Sequence, residues 1–244
     1  MNYTLPLFKK FKKRIIKFIG TYREVEYNKA FRFFENCRSI IDVGCGTGGF
    51  LEILRKKERR EIFGIDFNPD CVDACLKKGL NVIQGNALDI PFKENRFDGA
   101  YCSHVLHVFH SSEAAALIKE LSRIVRPGGV IAIATVPMYE KFFFDPADAR
   151  PYPPEALRGM FSKPTMEGHS APTLAGLPSL TEVAIWFRHP ALFDLNFQKS
   201  QKVFSICQLL NKIQYNLFLR KYWTFNGYIM VFRNTKEEFS LRHV

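Results

Sequence analysis

The chain has 244 residues and a formal net charge of +11, and is 47% hydrophobic and 24% charged. Such a chain can bury a core without disulfide or metal support, which excludes a disordered or fibrous protein. Its longest apolar runs, such as Val130 to Val136, are too short to span a bilayer, and Lys12, Lys13, Arg14 and Lys17 interrupt the stretch that a secretory signal would need. The six cysteines contain no CxxC pair, and Cys71 and Cys75 lie one helical turn apart with no His nearby. No metal site is expected, and the thiols read as free in a reducing cytoplasm.

The charge is unevenly spread. Residues 1–36 hold nine Lys/Arg and three Glu, residues 37–194 hold 18 Lys/Arg and 19 Asp/Glu, and residues 195–233 hold six Lys/Arg and no acid. A neutral middle thus lies between two basic flanks, both rich in Phe, Ile and Leu. In the first flank, Phe8, Phe11, Ile15, Phe18 and Ile19 recur at helical spacing, with Lys9, Lys10, Lys12, Lys13 and Lys17 at other positions. That pattern suits a helix lying on an anionic membrane. It equally suits a helix that packs its apolar stripe on its own domain.

In the middle, strand and helix signals alternate. Ser39 to Val43 reads as a strand, Gly48 to Lys57 as a helix, Glu61 to Ile65 as a strand and Pro69 to Lys78 as a helix, with Pro69 suited to a first turn. Strands follow at Asn81 to Gln84 and Phe97 to Ser103. The helix from Glu113 to Val125 must stop at Arg126–Pro127, and a turn at Pro127–Gly128–Gly129 enters a strand from Val130 to Val136. Leu180 to Phe187 and Gly227 to Phe232 read as two further strands. Alternation of this kind predicts an α/β, doubly wound, mainly parallel sheet whose ligand sits at the carboxyl ends of the strands.

The first strand ends in Asp42–Val43–Gly44–Cys45–Gly46–Thr47–Gly48–Gly49, and the second ends at Asp66. Glycines there let a ligand approach the backbone, and a carboxylate at Asp66 can accept hydrogen bonds from ribose hydroxyls. Gly44, Gly46 and Gly49 also fit the dinucleotide pattern GxGxxG. Two features oppose a dinucleotide. Asp42 would repel a pyrophosphate but could orient an amino group, and the loop has no Lys or Arg to meet phosphate.

Over about residues 36–136 the chain resembles the class I S-adenosylmethionine-dependent methyltransferases, the group that includes the ubiquinone/menaquinone-biosynthesis enzymes. Five segments carry the resemblance: the glycine loop; Asp66; Gly85–Asn86–Ala87 with Ile90–Pro91–Phe92; Phe97–Asp98 into Ser103–His104–Val105–Leu106–His107; and Glu120 to Gly129. The resemblance implies S-adenosyl-L-methionine as cofactor, a seven-stranded sheet with an antiparallel last strand, and a helical or irregular cap. Carried over by position, the cofactor-binding residues are Asp42, Gly44, Cys45, Gly46, Gly48, Asp66, Phe67, Asn86, Ala87 and Ser103. The family usually has Asp where this chain has Asn86, whose amide oxygen can still accept from the adenine amino group, without the charge.

Transfer of methyl from a sulfonium needs alignment and exclusion of water, and needs a general base only when the acceptor carries a proton. His104 is the candidate catalytic base, with His107 and His110 beside it and His107 expected to be structural. Tyr139, Glu140, Asp145 and Asp148 follow the fifth strand and read mostly as solvated loop charges. Tyr22, Arg23 and Tyr27 are expected near the methionine end of the cofactor. The segment Asp145 to Leu157 resembles part of the glycan and sugar O-methyltransferases, except that those usually carry His where Asp148 stands.

Four regions follow: basic amphipathic helices at 1–36, the cofactor core at 37–136, a Pro-rich lid at 137–180, and the last two strands at 181–244 with a basic helical insertion at 190–226. The expected acceptor is a small molecule, with a lipid-like or membrane-associated one favoured: a quinone, a lipid or a sugar hydroxyl. The expected location is the cytoplasm, with peripheral association at anionic membrane. The alternative is methylation of RNA along the basic flanks, although no Asn/Asp–Pro–Pro–Tyr/Phe base-flipping motif follows the fourth strand.

Overall fold

The structure is a computed structural model that describes residues 22–56, 61–137, 142, 146–161, 179–188 and 227–235. The first flank up to residue 21 and the insertion at 190–226 lie outside the described residues, as do Tyr139, Glu140 and Asp145. Helix α1 is Tyr22–Phe33, β1 Ser39–Val43, α2 Gly49–Arg55, β2 Glu61–Asp66, α3 Pro69–Lys77 and β3 Val82–Gln84. Then come β4 Phe97–Ser103, a 3₁₀ turn Leu106–Val108, α4 Ser111–Ile124, β5 Val125–Thr135, α5 Pro154–Gly159, β6 Leu180–Arg188 and β7 Gly227–Asn234.

Seven strands form one sheet in the order β3-β2-β1-β4-β5-β7-β6. The pairings from β3 to β5 are parallel, while β7 runs antiparallel to both β5 and β6. The expected seven-stranded, mainly parallel architecture is therefore the observed one. In a sheet covered on both faces, successive residues of a strand serve opposite layers. Ile131 and Ile133 enter one core with Leu117, Ile118 and Leu121 of α4, and Ala132 and Ala134 enter the other. That second core is built on Phe31 and Phe34 of the α1 end and Phe50 and Leu54 of α2. At Gly99 the strand leaves room for one of these rings: a Cβ there would come within 2.6 Å of Phe34.

Element ends follow local chemistry. Asn68 caps α3 by accepting from the Asp70 N–H at 2.9 Å, and Pro69 opens the helix. The junction after α4 differs from the expected helix–turn–strand. The helix ends at Ile124, Val125 already pairs with Phe97, and the ladder resumes at Gly99 with Val130, so Arg126 to Gly129 bulge out of one continuous strand. Asn234, fully buried on β7, holds this junction by donating to the carbonyls of Ser122 and Val125 at 2.9 and 2.7 Å. These pairings bring Val43, Asp66, Gln84, Ser103, Thr135, Arg188 and Gly227 to one edge of the sheet.

Candidate active site

At that edge a cavity of about 290 Å³ opens over the end of β1, lined by Arg23, Tyr27, Asp42, Gly44 to Thr47 and Ser103, among others. The loop that forms its rim is held from below. Gly44 and Cys45 both donate to the Ile65 carbonyl, and the Gly46 N–H donates to Asp66 Oδ2 at 2.7 Å. Gly44 has φ +73, and a Cβ there would meet Val105 Cγ2 at 2.1 Å, so no other residue fits without moving β4's exit. Gly46 differs: at φ +52 a Cβ would meet nothing within 4 Å, because it would project into open space.

Asp42 forms the floor. It is buried, and burial, followed by the nearby Asp66 charge, pushes its carboxyl up to about 8. A cationic ligand group beside it would restore the ionised form. Tyr27 of α1 lies over the loop, so that a Cβ on Gly49 would come within 2.8 Å of its ring. Burial and the Asp42 charge raise the Tyr27 hydroxyl, and Arg23 hydrogen-bonds to it. Arg23 and Tyr27 both line the cavity; the side chain of Tyr22 lies outside the described residues.

The structure divides the ten predicted cofactor residues into three groups. Asp42, Gly44, Cys45, Gly46 and Ser103 line the cavity together. Asp66, Phe67, Asn86 and Ala87 sit outside it, at and beyond the ends of β2 and β3, with the Phe67 ring 77% exposed. Gly48 lies under the loop: a Cβ there would come within 2.4 Å of Leu80, which makes its role one of packing. The Cys45 thiol also points inward, toward Gly64 and Cys75, so only its backbone faces the cavity, and burial raises its pKa. Asn86 already accepts the Leu88 N–H through Oδ1 at 2.9 Å, leaving that oxygen one further lone pair.

The three histidines separate. His110 starts α4, where its N–H donates to Glu113 at 3.2 Å. His107 is buried, with Nε2 3.3 Å from Asp148 and Nδ1 3.4 Å from the Thr135 hydroxyl. Asp148 is therefore not the solvated loop charge that the sequence suggested. His104 follows the cavity residue Ser103, and its backbone is left-handed at φ +58. Its Nε2 lies 3.4 Å from Glu26 Oε1 and 3.3 Å from Arg188.

Glu26 and Arg188 are the residues that sequence reasoning missed. Glu26 is 1% exposed, on α1; it accepts from Ser103 Oγ at 3.0 Å, Tyr101 Oη at 3.3 Å and Arg188 at 2.8 Å. Burial raises its carboxyl, but His104, Arg188 and Ser103 outweigh that and hold it at about 2. Gly227 faces Arg188, and a Cβ there would come within 2.4 Å of the guanidinium. Residues 26, 104 and 188 are so far apart in the chain that no local motif announces them.

This strand order with a reversed β7, and a glycine loop above a buried aspartate, agree with the resemblance to the class I S-adenosylmethionine-dependent methyltransferases. Residues 41–133 match the family described as a methyltransferase domain. The chain is 31% identical over 97 residues to a fatty-acid O-methyltransferase of Mycolicibacterium smegmatis, covering 38% of this chain and 35% of that one. It is 30% identical over 103 residues to the mouse protein named "Probable tRNA methyltransferase 9B", covering 42% and 22%. In both, the chain spans well under half of the relative's own length. Among solved structures, a SAM-dependent methyltransferase of Archaeoglobus fulgidus has the same fold at a TM-score of 0.64, with 22% identity, 91% of this chain covered and 99% of that one.

Proposed function

We propose that the protein transfers a methyl group from S-adenosylmethionine to a small-molecule acceptor, favouring one that is lipid-like or taken from a membrane surface. One observation carries the first part: a cavity with a buried carboxylate as its floor and glycine backbone with open space as its rim. The residues fit the cofactor. Asp42 would face its ammonium group, the backbone around Gly46 would meet its chain, and Asp66 would take the ribose hydroxyls on the second lone pairs of its oxygens. When bound, the cofactor supplies a methyl group already activated by the sulfonium charge. The protein then has to orient the acceptor and exclude water.

The lipid-like acceptor is supported by the two basic flanks interleaved with Phe, Leu and Ile, and by similarity to an enzyme named for fatty acids. Each Lys or Arg near an anionic surface contributes about 1 kcal/mol, enough for reversible attachment when five or six act together. Among the described residues no helix is long and apolar enough to cross a membrane. A second reading, methylation of RNA, is favoured by the net charge of +11 and by the tRNA-methyltransferase relative.

Transfer of labelled methyl to a panel of fatty acids, quinols, sugars and tRNA tests the proposal. Labelling of a lipid-like compound is expected, and labelling of tRNA alone overturns the small-molecule reading. Co-sedimentation with anionic vesicles should occur at low salt and be lost at high salt. Equal pelleting with neutral vesicles contradicts the electrostatic attachment.

A further inference from the structure

Asp42 is only 3% exposed, yet it lines the cavity. Among the described residues no donor and no cation pairs with its carboxyl. Its neighbour Asp66 is placed differently, since that carboxylate accepts the Gly46 and Asn68 N–H groups at 2.7 and 2.9 Å. Neighbouring carboxylates repel, burial disfavours charge, and hydrogen-bond donors favour it. A proton shared by the two therefore goes to the one without donors, which in the ligand-free protein is Asp42.

We propose that Asp42 exchanges its proton for the ammonium group of the cofactor, so that binding releases a proton to water and selects ligands that carry a cation at that end. The inference rests on the methyltransferase reading and adds how the same site is regulated and what it selects. In the exchange the carboxyl O–H bond breaks and its electron pair stays on oxygen. The proton leaves for solvent, and an ammonium N–H then donates to the carboxylate.

The other titratable groups around Asp42 leave it to answer that cation alone. Tyr27 of α1, Cys45 of the loop and Cys75 of α3 are raised chiefly by burial and stay protonated. So do Tyr101 and Cys102 of β4. At the cavity wall Arg23 and Lys56 are matched in number by Glu24 and Glu52. Asp66 of β2 is the charge that acts on Asp42, and it opposes ionisation. The ligand-free carboxyl, pushed up to about 8, sets the window. Below that pH the proton must leave before the ammonium group is paired, so affinity rises with pH and levels off above about 8.

Calorimetric titration of S-adenosylhomocysteine, in two buffers of different ionisation enthalpy, counts the protons. Near pH 6.5 the wild type should release roughly one proton for each S-adenosylhomocysteine bound. 5′-Methylthioadenosine, which has the nucleoside but no amino-acid end, should release none. The ratio of the two affinities cancels pH effects that both ligands share. That ratio should favour S-adenosylhomocysteine roughly tenfold more at pH 7 than at pH 6, and level off above about pH 8. In Asp42→Asn the proton release and the pH dependence of the ratio should both vanish. Binding of S-adenosylhomocysteine to the wild type without proton release overturns the proposal, even if Asp42→Asn fails to fold. Proton release that persists in a folded Asp42→Asn also overturns it. Binding of neither nucleoside at any pH overturns the methyltransferase reading itself.

Discussion

The cavity rim and the side-chain cluster behind Ser103 are built differently. The rim is mostly backbone: Gly44 to Gly46 on one loop, held from below by Ile65 and Asp66 of the neighbouring strand. The cluster is made of side chains from three distant parts of the chain, Glu26, His104 and Arg188, joined by one buried carboxylate that also accepts from Ser103. A backbone cradle depends on conformations that only certain residues allow, so a short stretch of sequence specifies it. A side-chain cluster depends on the whole sheet being assembled. Substitutions should therefore act on folding and cofactor binding at the rim, and mainly on folding in the cluster.

The largest effect is expected from Gly44→Ala. Its Cβ would collide with Val105 at a φ of +73, and overpacking plus strain together cost on the order of 3 kcal/mol. Thermal unfolding should show a clear drop in Tm, whereas Gly46→Ala, strained at φ +52 but with open space for its Cβ, should lose less stability and more cofactor affinity. Asp66→Ala removes the carboxylate that anchors Gly46 and Asn68 at 2.7 and 2.9 Å and that would also meet the ribose. Calorimetry should find S-adenosylhomocysteine binding weakened by about 1.5–3 kcal/mol.

Asp42 gives a pH-dependent test. Its folded pKa, about 8, lies above the usual 3.8, so the folded state holds an extra proton between those values. The Asp42 contribution makes stability fall as pH rises through that window and level off above about 8. Asp42→Asn removes this slope, so denaturant titrations should show the variant gaining on the wild type from pH 4 to pH 8, while it binds S-adenosylhomocysteine more weakly. The smallest effect on cofactor affinity is expected from Gly227→Ala, which displaces Arg188 from the buried Glu26 carboxylate. Tm should fall, because the carboxylate loses a buried partner, while cofactor affinity changes little; a loss of affinity as large as that of Asp66→Ala would join the two regions that we separate.

The same contrast explains what could be read from the sequence. The strands β1 and β4 have the bounds that the apolar runs and glycines predict, and the antiparallel β7 follows from the family resemblance. The glycine loop, Asp42 and Asp66 are visible because local geometry demands them. The bulge at Arg126 to Gly129 was hidden, because Pro and Gly mark a turn without saying whether strand pairing resumes across it. Glu26 was hidden among the acids of a basic segment, and its pairing with Arg188 spans 162 positions. Asp148 looked like a loop charge until the fold placed it on His107.

Parallel titrations of S-adenosylhomocysteine into the wild type, Asp66→Ala and Glu26→Gln test the central claim most directly. The account predicts that the wild type and Glu26→Gln bind within about threefold of each other, and that Asp66→Ala binds roughly 10- to 100-fold more weakly. No binding by the wild type, or binding of NAD in its place, would contradict it.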